Sequence, residues 1–180
     1  LTDGCAEVTA EVTVVNDTGA AADRRVYASL SHAGQTLATA FQMVHIPAHG
    51  EAVARVHLRV PGAPIWDVDD PQLCTVTAAV DDDEASTSFG IRTVQIDRTG
   101  LRLNGRSLKL KGGCVHHDNG ILGAASFADS EFRKMKLHKD NGYNAIRTAH
   151  NPPSTAMLDA CDRLGLLVMD EAFDVWRIPK

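Results

Sequence analysis

The sequence predicts a multidomain β plus α/β chain, with a sandwich of short strands over residues 1–97 and a parallel β-α-β-α-β unit over residues 98–180. Three observations carry this reading. The first part alternates apolar and polar side chains at period two, as half-buried strands do. Turn-forming residues interrupt it at short intervals. In the second part apolar residues recur at helical spacing between short apolar runs, the order expected of parallel strands joined by crossover helices.

In the first part Val8, Ala10, Val12 and Val14 share one face, with Thr9, Glu11 and Thr13 on the other. Val26, Ala28 and Leu30 repeat the pattern, followed by Leu37 to Val44, then Ala54, Val56, Leu58 and Val60, then Cys74 to Val80 and Ser86 to Ile96. Asn16-Asp17-Thr18-Gly19, His32-Ala33-Gly34, Pro47 to Gly50, Pro61-Gly62 and Asp81-Asp82-Asp83 separate them. Six or seven strands in about 90 residues suit a β-sandwich. Asp81 to Glu84 lacks the spaced ligands and glycine of a calcium loop, so a solvated hairpin tip is the better reading. Trp66 and Phe89 are expected in the core. With only Tyr27 and Phe41 besides them, this half reads as a scaffold rather than a sugar-binding module with aromatic platforms.

The second part opens on a hairpin from Leu101 to Leu110, where Asn104-Gly105 suits a type I′ turn. A first parallel strand is expected over Leu110 to Val115. A helix is expected from Asp129 to Asn141, with Phe132, Met135 and Leu137 inward and Gly142 ending it. Tyr143 to Arg147 is a second strand. Pro152 or Pro153 suits the first position of a second helix whose stripe is Ala156, Met157, Ala160, Cys161 and Leu164, stopping at Gly165. Leu166 to Met169 reads as a parallel strand buried on both faces. Three strands are too few for a complete domain of this kind. The chain is therefore expected to be an internal piece, with Leu1-Thr2-Asp3-Gly4 a cut end and one apolar sheet edge and face left open.

A net charge of −5 and a pI near 5.9, with no block of Lys or Arg, argue against nucleic acid or an anionic membrane as partner. No apolar run approaches the roughly 18 residues of a membrane span. The four cysteines form no C-x-x-C pair, and Cys114 and Cys161 lie in apolar segments where burial is expected. This leans towards a reducing compartment, the cytoplasm.

Polar residues gather where the parallel strands end: His116-His117-Asp118 after the first, Arg147-Thr148-Ala149-His150-Asn151 after the second, Asp170-Glu171 after the third. Carboxyl ends of parallel strands are where α/β proteins build sites. His116, His117, Asp118 and His150 could suggest zinc, yet their spacing matches no zinc motif. No metal and no cofactor are expected.

Phe89-Gly90-Ile91-Arg92-Thr93-Val94, Leu103-Asn104-Gly105, Leu110-Lys111-Gly112, His116, Gly142 to His150, Cys161-Asp162-Arg163-Leu164-Gly165 and Asp170-Glu171 together resemble the ordered signature of glycoside hydrolase family 2. Pro64-Ile65-Trp66 and Pro71-Gln72-Leu73 are similar to its second-domain pattern. The resemblance implies an immunoglobulin-like sandwich followed by the first third of a (β/α)₈ TIM barrel, within a plan of jelly roll, sandwich and barrel. It also implies a retaining mechanism with two glutamates roughly 5 Å apart. Those glutamates belong to later strands, in an Asn-Glu motif and beyond. No Asn-Glu dipeptide occurs here, so neither catalytic carboxylate is expected in this chain.

By the same resemblance His116 and His150 contact sugar hydroxyls, Arg147 lies on the barrel floor near the nucleophile, and Glu171 supports the pocket. The alternative for either histidine is a capping or core-paired role, and for Arg147 an ion pair with Glu171 or Asp170. His117 and Asp118 are expected in an exposed loop, and Asp162 beside Arg163 or Lys139. Metal-dependent members carry a Glu-x-His pair where this chain has Asp174-Val175-Trp176, which puts that metal site in doubt. The implied parent is a retaining exo-β-glycosidase acting on a carbohydrate substrate, first a β-galactosidase and next a β-glucuronidase. A non-catalytic sandwich module is the competing class, and homo-oligomer formation stays open.

Overall fold

A computed structural model describes residues 4–173, so Asp174-Val175-Trp176 lies outside the described residues. The chain divides into two compact units. One comprises the residues up to Ile65 with Leu73–Ile91, and the other Trp66–Gln72 with the residues from Arg92 onward. No helix among the described residues is long and apolar enough to cross a membrane.

The first unit is built from β1 (Cys5–Asn16), β2 (Ala22–His32), β3 (Gln35–Ile46), β4 (Gly50–Pro61), β5 (Cys74–Val80) and β6 (Asp83–Phe89). β1 pairs antiparallel with β4, and a second sheet runs β3-β2-β5-β6. The alternation seen in the sequence is the packing pattern: Val26, Ala28 and Leu30 of β2 and Ala54, Val56, Leu58 and Val60 of β4 form the buried core. Phe89 is half-buried against that core. Asp81, at positive φ, forms an exposed hairpin tip held by Arg24 Nε at 2.6 Å. The run Ser86 to Ile96 is not one strand. β6 ends at Phe89, and β7 (Val94–Asp97) turns back to pair with β8 (Gly100–Leu103) in the second unit.

Asn104 and Gly105, at φ 52° and 77°, make the tight turn from β8 to β9 (Arg106–Ser107) with the two positive φ angles a type I′ turn requires. The parallel sheet follows in the order β10 (Gly112–Val115), β11 (Ala145–Thr148), β12 (Leu167–Met169). Helices α1 (Ala128–Asp140) and α2 (Thr155–Leu164) cross between its strands. Val115, Ile146 and Val168 pack against Met135, Met157, Ala160 and Cys161, so both helices cover one face. Leu137 is 48% exposed rather than inward, because it stands two residues from Met135 and points about 200° round the helix. The stop at Gly165 holds: it caps α2 in the left-handed region at φ 74°. The helix start differs. Thr155, not a proline, takes the first helical position, and Ser154 before it is the N-cap, accepting from Met157 N–H at 3.2 Å.

β12 is not buried on both faces, since Met169 is 57% exposed. Leu167 and Met169 point away from the helices onto an open cavity of about 750 Å³, lined also by Leu110, Gly112 and Arg147. Trp66 is fully buried in this unit: its indole N–H donates to Asp162 O at 2.7 Å, and the Arg92 guanidinium lies 4.5 Å from its ring centroid. Asp162 therefore faces Arg92, at 3.8 Å, rather than Arg163 or Lys139. Arg163 lies over the Phe132 ring, and Lys139 Nζ donates to the carbonyls of Val68 and Gly165.

Two carboxylates make the second unit acid-sensitive. Burial works to raise both, but hydrogen bonds from Arg106, the Asp69 amide and Asn104 hold Asp67 below its ordinary range, and Asn119, the Lys134 ammonium and Ser126 do the same for Glu131. A folded value below the unfolded one contributes stability above the unfolded pKa of about 4 and loses it as pH falls through the folded value. Asp162 has the opposite sign, since burial raises it despite Arg92. Thermal melts from pH 7 to 3 are expected to lose midpoint mainly below about pH 4, less steeply for Glu131→Gln. Equal slopes for the two proteins would refute this.

Candidate functional site

The first two strands deliver their ends to one rim. Cys114 pairs in register with Arg147 and Val115 with Thr148, after which the Ala149 amide donates to Val115 O at 3.1 Å. Regular pairing stops there, and the Ala149–His150 peptide is cis. His116 and His150 then meet edge to face, their ring centroids 5.8 Å apart, inside the roughly 10 Å that neighbouring parallel strands imply.

Arg147 alternates with Ile146 and Thr148, which turn to the buried side, so its guanidinium lies on the face away from the helices. Its Nε donates to Glu171 Oε1 at 2.8 Å and its Nη1 to Cys114 Sγ at 3.0 Å. These two contacts, the sulfur first, raise its already high pKa. The other oxygen of Glu171 lies 3.3 Å from His150 Nδ1. One carboxylate thus bridges guanidinium and imidazole. Thr148 Oγ1 accepts from the Glu171 amide at 3.0 Å and donates to Asp170 Oδ1 at 3.1 Å, fixing the end of the third strand.

All four expected site residues, His116, Arg147, His150 and Glu171, therefore stand together. A carboxylate can only accept, so Nδ1 of His150 carries a proton towards Glu171, and Nε2 is the ring nitrogen that Glu171 does not engage. His116 is exposed, and Arg147 spends three of its five N–H donors on Glu171 and Cys114. Such a rim offers acceptors and donors a few ångströms apart, which suits vicinal hydroxyls. Glu171 is held by both oxygens, Oε1 by Arg147 and Oε2 by His150.

His117 departs from the exposed-loop expectation. It is half-buried with Nδ1 enclosed and without a hydrogen-bond partner, beside Val115, Thr148, Asn151 and Met157. Asp118 is exposed. Among the described residues no three His, Cys, Asp or Glu side chains converge as metal donors. All four cysteines are free; Cys5, Cys74 and Cys161 are buried, and burial, with help from Asp162, pushes the Cys161 thiol up to about 12. Cys114 is exposed instead of buried, since β10 turns it to the face the helices leave uncovered. Sequence reasoning missed its contact with Arg147, although its parity with His116 on one strand was a usable signal.

Comparison with known proteins agrees with this geometry. Residues 1–92 match the family model for glycosyl hydrolases family 2, and residues 94–175 match the model for the TIM barrel domain of that family. The chain is 41% identical over 175 residues to the β-galactosidase BoGH2A of Bacteroides ovatus, covering 93% of this chain and 21% of that protein. It superposes on a family 2 member from Bacteroides cellulosilyticus with a TM-score of 0.93 at 39% identity, over 99% of this chain and 24% of that one. Bacteroides uniformis β-glucuronidase gives a TM-score of 0.86 at 26% identity, over 94% and 22%. The chain thus spans about a fifth to a quarter of the length of these relatives. The sandwich and the opening barrel strands each fall within a model of one family, and the chain belongs to glycosyl hydrolase family 2.

Proposed function

We propose that these residues are part of a retaining exo-β-glycosidase, first a β-galactosidase, in which His116, His150, Arg147 and Glu171 receive and orient the hydroxyls of the terminal sugar. Residues 1–97 then serve as a non-catalytic scaffold and residues 98–180 as the opening strands of the catalytic barrel. The acid/base and nucleophile carboxylates come from sequence outside this chain, the cytoplasm is the compartment, and no cofactor takes part. The observation that carries the reading is the pairing of His116 and His150, with Glu171 bridging His150 to Arg147. The 41% identity to a β-galactosidase supports the choice of sugar, and the likeness to a β-glucuronidase supports uronides as the second reading.

The test has two arms. The 180-residue chain alone should not hydrolyse aryl β-galactosides or β-glucuronides above buffer, because positioning groups cannot replace an acid and a nucleophile. In the whole enzyme that contains it, His150→Ala should lower kcat/KM for the aryl β-galactoside by about 10-fold to 100-fold, the worth of one strong hydrogen bond. Turnover by the chain alone, or an unaffected His150→Ala enzyme, would sink the assignment. Faster cleavage of the glucuronide by the whole enzyme would move it to the second reading.

A further inference from the structure

The buried carboxylate of Glu131 is unused by the site described above, yet it joins both loops that carry the site's histidines. It sits in the first turns of α1 with its residue fully buried. Its Oε1 accepts from Asn119 Nδ2 and from Ser126 Oγ, each at 2.9 Å. Oε2 faces Lys134 Nζ at 2.9 Å, and Lys134 also donates to Asp118 O at 3.0 Å. Ser126 Oγ in turn lies 2.6 Å from Ser154 Oγ, the N-cap of α2.

The direction of this chain follows from proton counting. A serine hydroxyl has one proton, and an ionised carboxylate has none. Ser126 must therefore donate to Glu131, which leaves Ser154 to donate to Ser126, while Ser154 accepts from the Met157 amide. Every hydroxyl proton is used once, and the chain is satisfied from the helix amide to the carboxylate.

Asn119 stands three residues after His116, and Ser154 four residues after His150. Asn119 also closes its own loop, its amide donating to Gly123 O at 2.8 Å and its side chain to Ala125 O at 3.0 Å. Both histidine loops thus hang on the same acceptor atom. An ionised group this deeply buried is expensive to maintain without partners: Oε1 accepts both hydrogen bonds, and Oε2 has no hydrogen bond but the Lys134 ammonium at 2.9 Å. A purely apolar contact between α1 and α2 would hold the helices together without fixing either loop.

We infer that Glu131, through Asn119 on one side and the Ser126–Ser154 pair on the other, is the positioning residue that sets the separation of His116 and His150. The inference rests on the site reading proposed above only for its significance, since the separation itself can be measured without any sugar.

The experiment is nuclear Overhauser contact between the His116 and His150 rings in the 180-residue chain, with side-chain signals assigned from His116→Gln and His150→Gln. The contact is expected in the wild-type chain and should fall at least fivefold in Asn119→Ala, Ser126→Ala and Glu131→Ala. Glu131→Gln keeps an acceptor oxygen for Asn119 and Ser126 and should retain it. Met135→Ala removes a buried apolar side chain from the same helix and should lower stability yet also retain it. If Glu131→Ala does not fold, the two single-partner variants decide. Retention of the ring contact in folded Asn119→Ala and Ser126→Ala overturns the inference. So does its loss in Met135→Ala, which would mark a general structural effect. Failure of sugar turnover in the whole enzyme would touch the proposed function and leave this result standing.

Discussion

Gly112→Ala should unpair the first two parallel strands. A methyl placed there meets the Ala145 carbonyl oxygen at 1.9 Å and its carbon at 2.8 Å. The backbone at Gly112 is not in the left-handed region, so the obstacle is the neighbouring strand and not the residue's own φ. A carbonyl fixed in a paired strand cannot yield as the tip of a flexible side chain would. Overpacking of this kind costs about 3 kcal/mol or more. Gly113 supplies the control, because a methyl there meets only Tyr143 atoms at 3.5 and 3.8 Å, ordinary contact distances. Gly113→Ala should be neutral or stabilising by up to about 1 kcal/mol, since alanine loses less backbone entropy on folding. Denaturant unfolding of the two variants should give midpoints far apart, with the ring contact of His116 and His150 lost only in Gly112→Ala. Coincident midpoints would show that strands β10 and β11 are not in the register described.

Trp66→Ala should be the other severe change. The side chain is fully buried, and its removal leaves a large cavity at about 3–5 kcal/mol for an aromatic of this size. It also strips the Asp162 carbonyl of its donor, adding about 1–3 kcal/mol if no water replaces it. Arg92 loses the ring it stacks on, a smaller effect. Against a typical domain stability of about 5–15 kcal/mol, the second unit should be largely unfolded or close to it at room temperature. The buried core of the first unit contains none of these residues, so its amide signals serve as the internal reference. Amide exchange should show protection collapsing across α2 and β11. Near-wild-type protection there would mean that the indole is not the anchor its burial implies.

Much of this protein was legible because local geometry writes itself into residue order. Period-two alternation from Val8 to Val60 marked which side chains enter the sandwich, and the buried residues of β2 and β4 are those. Asn104-Gly105 and Gly165 announced turns that only positive φ allows. The strand-end clusters announced where polar chemistry gathers, since a parallel strand must deliver its last residues to one rim.

What the order of residues did not reveal was every contact that depends on the chain returning to itself. Trp66 meets Asp162 across 96 residues and groups with the second unit, although Ile65 before and Leu73 after its segment Trp66–Gln72 belong to the first. Cys114 looked like a core residue because its neighbours are apolar, and its exposure depends on which sheet face the helices cover. Leu137 looked inward by spacing alone, but the buried stripe of α1 runs through Glu131, Phe132 and Met135. Glu131 itself reads as an ordinary charged residue near a helix start. Its burial among Asn119, Ser126 and Lys134 was decided only when the loop after β10 folded over α1. Periodicity reports which way a side chain turns relative to its own strand or helix. The partner it meets is set by strand register and helix placement, which no local pattern contains.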